Sequence, residues 1–326
     1  MDRTGIVTGS HPGWCTNLVQ AGSVVAGERV LVVVDEPLER EGAELVACLT
    51  DAGAEARLER WVAPNRPMAA PPEAMLGAAR ACDLCLFLAQ APLGAEANAR
   101  FALAEAVQEG RGRQIYLGFV DAALLTGELS QPAPDLSDTA RRLLAQVEGA
   151  ETIRIRGAAG TDLTLRVGGR PWLTDATTLG PGDFANFPGG EIFVAPHADG
   201  ADGILVADLT VPYTVEGLVD EPVTLRFERG RVTSIEGGRA ATMLRELVNG
   251  AGTGADVVAE LGIGLNPTVQ PRGHVMLDEK AAGTAHVAIG RNTGSYGGDN
   301  EASIHVDMIF SGPEVEADGR RIELPA

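Results

Sequence analysis

The chain is poor in basic, cysteine and aromatic residues, and each shortage narrows its possible functions. It has 26 Lys and Arg residues against 45 Asp and Glu residues, which gives a formal net charge of −19. A surface this acidic repels phosphate backbones and anionic lipids, so we expect no nucleic-acid or membrane partner. The four cysteines are too few for a disulfide scaffold in 326 residues. Aromatic residues make up only 4% of the chain and define no substrate pocket.

Long hydrophobic runs are also missing. The N-terminus has no apolar segment of signal-peptide length. The longest apolar runs, such as residues 30–34 and 84–89, have the length of a strand and fall far short of a membrane span. We therefore predict a cytoplasmic protein. Cys82 and Cys85 form a CxxC without a second CxxC or a neighbouring histidine, and we interpret them as small buried residues.

The first part of the chain alternates strand and helix patterns. Near-continuous apolar runs at residues 29–35, 83–89 and 114–120 are separated by segments with helical spacing. This alternation is typical of a parallel sheet covered by helices. The segment contains neither G-x-G-x-x-G nor a Walker-type phosphate loop, so nothing in it indicates a nucleotide. We predict an α/β scaffold or oligomerisation domain over residues 1–150.

The pattern changes to β after residue 150. Three hairpins are predicted around turns at residues 157–160, 229–230 and 318–319, each flanked by short strand-forming segments. We predict a β-rich α+β domain over residues 151–326. Four of the five histidines lie in this second domain, so the surroundings of each are informative.

The clearest chemical signal is His305-Val306-Asp307. Alternate side chains of a strand share one face, so the imidazole of His305 and the carboxylate of Asp307 can reach the same divalent metal ion. Taken alone, the pair also fits an exposed edge strand. His286 interrupts the small apolar strand pattern of residues 284–290, where an isolated histidine is also compatible with the core.

Two glutamates occupy equally apolar surroundings. Glu191 lies within residues 187–196 and Glu260 within residues 257–264. A buried glutamate must be paired or must bind a metal, although each of the two could instead face solvent. Considered together, the candidate ligands suffice for two divalent ions used in hydrolysis, and oxygen-rich ligation with some imidazole suits Zn, Co or Mn. The predicted ligands are Glu191, Glu260, His286, His305 and Asp307.

The second domain resembles the aminopeptidase T and aminopeptidase S family of metallopeptidases. The resemblance runs from residue 160 to the end and is strongest in four segments: residues 187–196, 259–267, 277–290 and 297–307. It implies an α/β N-terminal domain, a two-metal catalytic domain, a homodimer, and removal of N-terminal residues from small peptides. It also implies that the five predicted ligands correspond to the metal-binding residues of the family.

The chain departs from this family at its catalytic tyrosine. The family has a tyrosine seven residues after the first histidine, where this chain has Thr293. The nearest tyrosine is Tyr296, which either replaces it from a remodelled loop as the hydrogen-bond donor to the oxyanion or is a loop aromatic without a catalytic role. In a two-metal mechanism we expect a carboxylate in or near the ligand set to pass the proton to the leaving amine, and Glu191, Glu260 and Glu279 are all candidates for this role.

Two alternatives remain. Dihydroxypyridine dioxygenases resemble these peptidases but hold one ferrous ion, with a histidine in place of Glu260 and no counterpart of His286. The presence of both peptidase-type residues favours the two-metal aminopeptidase over a single-Fe(II) ring-cleaving enzyme. A non-catalytic relative acting as a binding protein is the other alternative. It is favoured by the missing tyrosine at position 293 and disfavoured by the complete ligand set.

Overall fold

The computed structural model describes residues 10–61, 67–89, 96–176 and 179–325. The α-helices are α1 (Gly13–Ala21), α2 (Glu39–Asp51), α3 (Glu73–Ala81), α4 (Ala97–Glu109), α5 (Ala122–Thr126), α6 (Ser137–Val147), α7 (Arg239–Ala251) and α8 (Val275–Asp278). The strands are β1 (Arg29–Val34), β2 (Glu55–Arg60), β3 (Leu84–Leu88), β4 (Arg113–Tyr116), β5 (Thr152–Arg156), β6 (Asp162–Arg166), β7 (Trp172–Thr174), β8 (Phe184–Asn186), β9 (Glu191–Val194), β10 (Ala201–Ala207), β11 (Val223–Glu228), β12 (Arg231–Glu236), β13 (Val258–Gly264), β14 (Thr284–Gly290), β15 (His305–Ser311), β16 (Glu314–Ala317) and β17 (Arg320–Arg321).

The chain forms two compact units, and each unit consists of two separate stretches of the chain. The first unit comprises Met1–Pro134 and Thr178–Pro188, and the second comprises Asp135–Thr177 and Gly189–Ala326. The short strand β8 belongs to the first unit because it pairs with β4. Helix α6 belongs to the second unit. The division is therefore more interleaved than a single boundary at residue 150.

The first unit contains a parallel sheet in the order β2-β1-β3-β4-β8, as its apolar runs predict. Strand β3 is buried along its whole length, and all but the first residue of β1 is buried, as expected for a sheet covered on both faces. The strand predicted over residues 114–120 ends earlier, at Tyr116. Phe119 has a φ of 61°, which is incompatible with an extended strand, so the chain turns there.

The second unit contains two antiparallel sheets. One has the order β12-β11-β10-β6-β5-β16-β17 and includes the three predicted hairpins, which are β5–β6, β11–β12 and β16–β17. The other has the order β15-β14-β13-β9-β7. Their apolar side chains form one core together with α6 and α7. None of the helices in the described part of the chain is both long and apolar enough to cross a membrane.

Candidate metal centre

The predicted ligands come from four adjacent strands of the five-stranded sheet. Glu191 begins β9, Glu260 lies in β13, His286 lies in β14, and His305 and Asp307 lie in β15. Strands β13 and β14 are buried at every position. Glu260 is 3% exposed and His286 is 1% exposed. Their side chains therefore belong to the interior, and the solvent-facing alternative for Glu260 is wrong.

Strand register brings the carboxylates together. Glu260 pairs with Ala288 from one side, and Asp307 pairs with the same Ala288 from the other. Directly paired residues lie on the same face of a sheet, so both carboxylates flank one small side chain. His286 is two residues from Ala288 and shares its face, and it lies opposite Gly262. A methyl group at Gly262 would come within 2.1 Å of His286 Cε1, so this glycine provides the space for the imidazole.

The ligand atoms converge around Glu260. Its Oε1 lies 3.4 Å from His286 Nε2, and its Oε2 lies 3.3 Å from His305 Nε2. His305 Nε2 is also 3.1 Å from Asp307 Oδ1, and His286 Nε2 is 3.6 Å from Glu191 Oε2. Each of three groups offers ligand atoms that lie within 4.8 Å of one another. The groups are Glu191–Glu260–His286, Glu260–His305–Asp307 and Glu279–His286–Asp307.

The orientation of His305 is set by a backbone carbonyl. Its Nδ1 lies 2.6 Å from the carbonyl oxygen of Arg291, which can only accept, so Nδ1–H donates this hydrogen bond. Nε2 is then directed at the carboxylates of Glu260 and Asp307. A hydrogen bond from the other ring nitrogen to a carbonyl oxygen is the usual way to orient a metal-binding histidine.

A buried lysine that was not predicted from the sequence adjoins the centre. Lys280 is 0% exposed. Its Nζ donates a hydrogen bond to Glu191 Oε1. The same nitrogen lies 3.0 Å from Asp175 Oδ2 and 2.9 Å from Glu279 Oε1. Asp175 Oδ1 also accepts hydrogen bonds from the backbone N–H groups of Gly190 and Glu191. One signal was available in the sequence, because Lys280 is the only lysine in the chain.

The pKa values in the centre reflect its excess of carboxylates. Burial raises the pKa of Glu191 well above its ordinary value, and the Lys280 ammonium only partly opposes this. Burial disfavours the charged form of His286, but its hydrogen bond to Glu260 and the charge of Glu191 together raise its pKa to about 9. His305 also has a raised pKa, because Asp307 and Glu260 outweigh the effect of burial. The centre therefore favours additional positive charge, which protons or metal cations can supply.

The residues present fit a metal cofactor. Glu191 Oε2 is buried and has no hydrogen-bond partner among the described residues, and it faces His286. An unpartnered buried carboxylate oxygen beside an imidazole is the donor arrangement that a divalent cation satisfies. Mixed carboxylate and imidazole ligands suit Zn, Co, Mn or Fe(II), so the donor set alone does not select one of these metals.

Tyr296 lies beside the centre. Its ring stacks on the imidazole of His305, with centroids 4.6 Å apart and planes inclined by 29°. Phe193 contacts the same tyrosine edge-on, at 6.1 Å between centroids. Thr293 is partly buried, and its Oγ1 has no hydrogen-bond partner among the described residues. The tyrosine three residues further on therefore contacts a predicted ligand directly.

The remaining histidines lie outside these three groups. His11 pairs with Asp51 in the first unit at 2.9 Å. His197 Nε2 contacts the carbonyl oxygen of Gly168 at 2.9 Å. His274 precedes α8, and its backbone N–H donates to Asp278. All four cysteines, including the CxxC pair, are buried free thiols.

Comparison with known proteins identifies the family. A family model described as NicX, 2,5-dihydroxypyridine 5,6-dioxygenase, matches residues 19–323. The chain belongs to this family. Members and relatives include enzymes of two chemistries. A 2,5-dihydroxypyridine 5,6-dioxygenase of Pseudomonas putida is 26% identical over 212 residues, and aminopeptidase AmpS of Bacillus subtilis is 29% identical over 186 residues.

The matches to aminopeptidases confirm the resemblance seen in the sequence. Aminopeptidase T of Thermus thermophilus is 29% identical over 182 residues, which cover 49% of this chain and 43% of that protein. AmpS is matched over 50% of this chain and 44% of its own length, and the dioxygenase over 60% of each. The chain thus spans less than two thirds of the length of these curated relatives.

Solved structures confirm the fold. The structure of the Pseudomonas putida dioxygenase matches with a TM-score of 0.75 and 21% identity, over 96% of this chain and 94% of that one. Wild-type aminopeptidase T of Thermus thermophilus matches with a TM-score of 0.62 and 19% identity, over 92% and 93%. One fold therefore accommodates both chemistries, and the reaction must be inferred from the centre itself.

Proposed function

We propose that this chain is a metal-dependent aminopeptidase that uses two divalent ions, Zn, Co or Mn, to remove N-terminal residues from small peptides. The observation that supports this best is the position of Glu260. Its two oxygens face two different imidazoles, at 3.4 Å and 3.3 Å, so this carboxylate would help to hold both ions. Glu191 and His286 would complete one half of the centre, and His305 and Asp307 the other.

The number of acidic groups supports two ions over one. A single ferrous ion of the common type needs two imidazoles and one carboxylate. Lys280 is paired with Glu191, but a single-ion site would still leave a further buried carboxylate, Glu260 or Asp307, without a metal cation, which is unfavourable in a protein interior. Two divalent ions compensate more of this negative charge.

The chain's own groups have separate roles in this proposal. Two bound ions supply a lowered water pKa and a polarised substrate carbonyl. Burial raises the pKa of Glu279, a direction that favours a carboxyl group that carries a proton to the leaving amine. We assign this step to Glu279, because Glu191 and Glu260 are needed as ligands. We assign Tyr296 as the hydroxyl donor to the developing oxyanion.

A single-iron ring-cleaving dioxygenase is the second candidate. The match of the NicX model and the higher TM-score of the dioxygenase structure, 0.75 against 0.62, favour it. By the resemblance described above, such enzymes have a histidine in place of Glu260 and lack His286. This chain departs from that pattern at both positions.

Metal content and turnover distinguish these candidates. We expect about two equivalents of Zn, Co or Mn per chain after dialysis, and hydrolysis of aminoacyl-p-nitroanilides that a chelator abolishes. One equivalent of iron, with oxygen uptake on 2,5-dihydroxypyridine, would establish the dioxygenase instead. A protein that binds no metal after reloading would be a non-catalytic relative.

One variant and one physical measurement complete this test. Glu260→His removes the carboxylate that would help to hold both ions, so we expect this variant to bind one ion where the unaltered protein binds two, and to lose peptidase activity. Retention of both ions by this variant would contradict the role of Glu260 in holding both ions.

We also propose a homodimer, on the family resemblance alone, and light scattering of the purified protein tests it.

A further inference from the structure

Among the Lys and Arg residues of this chain, all but one are arginines. The sequence has 26 Lys and Arg residues, and Lys280 is the only lysine among them. The exception is completely buried and lies beside the candidate metal centre. Arginine and lysine are not interchangeable where geometry matters, since guanidinium is a planar fork whereas ammonium is a compact charge with three donors. The position of the lysine therefore indicates a requirement for an ammonium group.

The ammonium of Lys280 lies among three buried carboxylates. Its Nζ donates a hydrogen bond to Glu191 Oε1 and forms ion pairs with Asp175 Oδ2, at 3.0 Å, and with Glu279 Oε1, at 2.9 Å. Its backbone is fixed as well, because its N–H donates to the carbonyl oxygen of Leu277 and its own carbonyl accepts from the N–H of Asn266. The ammonium thus has little freedom to leave this position.

The same contacts define the orientation of Glu191. Lys280 occupies Oε1, so the other oxygen is directed at His286 Nε2, 3.6 Å away. The backbone N–H of Glu191 donates a hydrogen bond to Asp175 Oδ1, at 3.0 Å, and Asp175 is itself paired with Lys280. Side chain and backbone of this candidate ligand are therefore fixed by one connected set of charges.

We propose that Lys280 is a positioning residue that holds Glu191 as a one-oxygen metal ligand and keeps Glu279 beside the centre. This rests on the proposed function only in taking Glu191 as a ligand. Without the ammonium, the buried carboxylates of Asp175, Glu191 and Glu279 repel one another and lose the contact that orients Glu191. Charge alone does not suffice, because the planar guanidinium of an arginine cannot direct its donors at the same three carboxylates in this completely buried position.

Zinc binding by variants tests the proposal. We expect Lys280→Met to weaken Zn²⁺ binding at the Glu191 half by about 10- to 100-fold, as for other losses of a residue that orients a metal ligand. Lys280→Arg should be similarly impaired. The double variant with Glu191→Gln should bind Zn²⁺ no more weakly than Glu191→Gln alone, because both changes remove the same ligand. Wild-type affinity in Lys280→Met, or additive losses in the double variant, would overturn the proposal.

A matched control separates positioning from general stability. Arg113 and Glu28 form a partly buried ion pair in the first unit, at 2.7 Å. We expect Arg113→Met to lower stability while leaving Zn²⁺ affinity unchanged. If it weakens Zn²⁺ binding as much as Lys280→Met does, the effect of the lysine is not specific to the centre and the proposal fails.

The unaltered protein provides a second test that needs no folded variant. Protein grown with [¹³Cε]lysine has one lysine signal, because the chain has one lysine. We expect Zn²⁺ to shift this Lys280 signal as Glu191 becomes a ligand. A signal unchanged at saturating Zn²⁺ would refute the proposal.

Failure of this proposal and failure of the proposed function give different results. If the protein binds two ions and hydrolyses peptides, but the lysine signal and the lysine variants show no coupling to Zn²⁺, only the positioning role is wrong. If the protein binds one ion and Lys280→Met still weakens it through Glu191, the positioning role holds and the two-metal hydrolase is wrong.

Discussion

Adding one methyl group at Gly262 should disable the centre without changing any ligand. Gly262 faces His286 across the β13–β14 pair. A Cβ at this position would lie 2.1 Å from His286 Cε1 and 2.3 Å from Nε2. Favourable contacts between heavy atoms begin at about 3.5 Å, so the ring must withdraw by roughly 1.4 Å. Because the site is completely buried, this movement displaces other packed groups.

The magnitude follows from two tolerances. Metal–ligand distances hold within about 0.2 Å, so a movement several times larger removes the imidazole from its metal. We expect Gly262→Ala to lower metal affinity by more than about 100-fold, which exceeds the usual effect of losing a residue that only orients a ligand. Overpacking should also lower the free energy of unfolding by about 1–3 kcal/mol.

Metal affinity from competition with a chelator and urea unfolding measure the two effects. Gly250→Ala in α7 is the control, because a Cβ there meets no atom within 4 Å. It should raise stability by about 0.5–1 kcal/mol, as expected for glycine replaced by alanine in a helix, and leave metal binding unchanged. A Gly262→Ala protein with wild-type affinity and stability would refute the assigned position of His286.

Three further predictions concern the ligands and the tyrosine. His305→Ala should lose metal and activity together, and full activity in this variant, measured beside its metal content, would exclude the site. Tyr296→Phe should keep its metal while kcat falls by about 100- to 1,000-fold if the hydroxyl serves the oxyanion, whereas an unchanged kcat would make Tyr296 a loop aromatic. The metal-free fold raises the pKa of His286 from 6.5 to about 9, so protonation of His286 stabilises the folded state. This contribution to the free energy of unfolding is complete below pH 6.5 and is lost as the pH rises through 9. Chelated protein should therefore unfold at lower urea concentration at pH 9 than at pH 6.5. Zn²⁺ affinity should increase over the same pH range, because protons compete with the metal. A stability that does not change with pH would contradict the raised pKa of His286.

Local patterns in the sequence identified much of the second unit and the type of the first. The three hairpins depend on turns next to their own strands, so short-range information suffices for them. The parallel sheet followed from apolar runs that a doubly covered sheet requires. The early end of β4 was missed, because the positive φ of Phe119 has no signature in the hydrophobic pattern.

The candidate ligands were predictable as residue types, and their arrangement was not. His305 and Asp307 share a face because strand side chains alternate, which the sequence alone determines. Tertiary structure decided that Glu260 and Asp307 meet across Ala288, because strand register joins positions far apart in the chain. It also decided the set around Lys280, whose partners Asp175 and Glu191 lie in separate segments. Burial and charge pairing across a sheet depend on distances between distant segments, and local sequence patterns do not encode those distances.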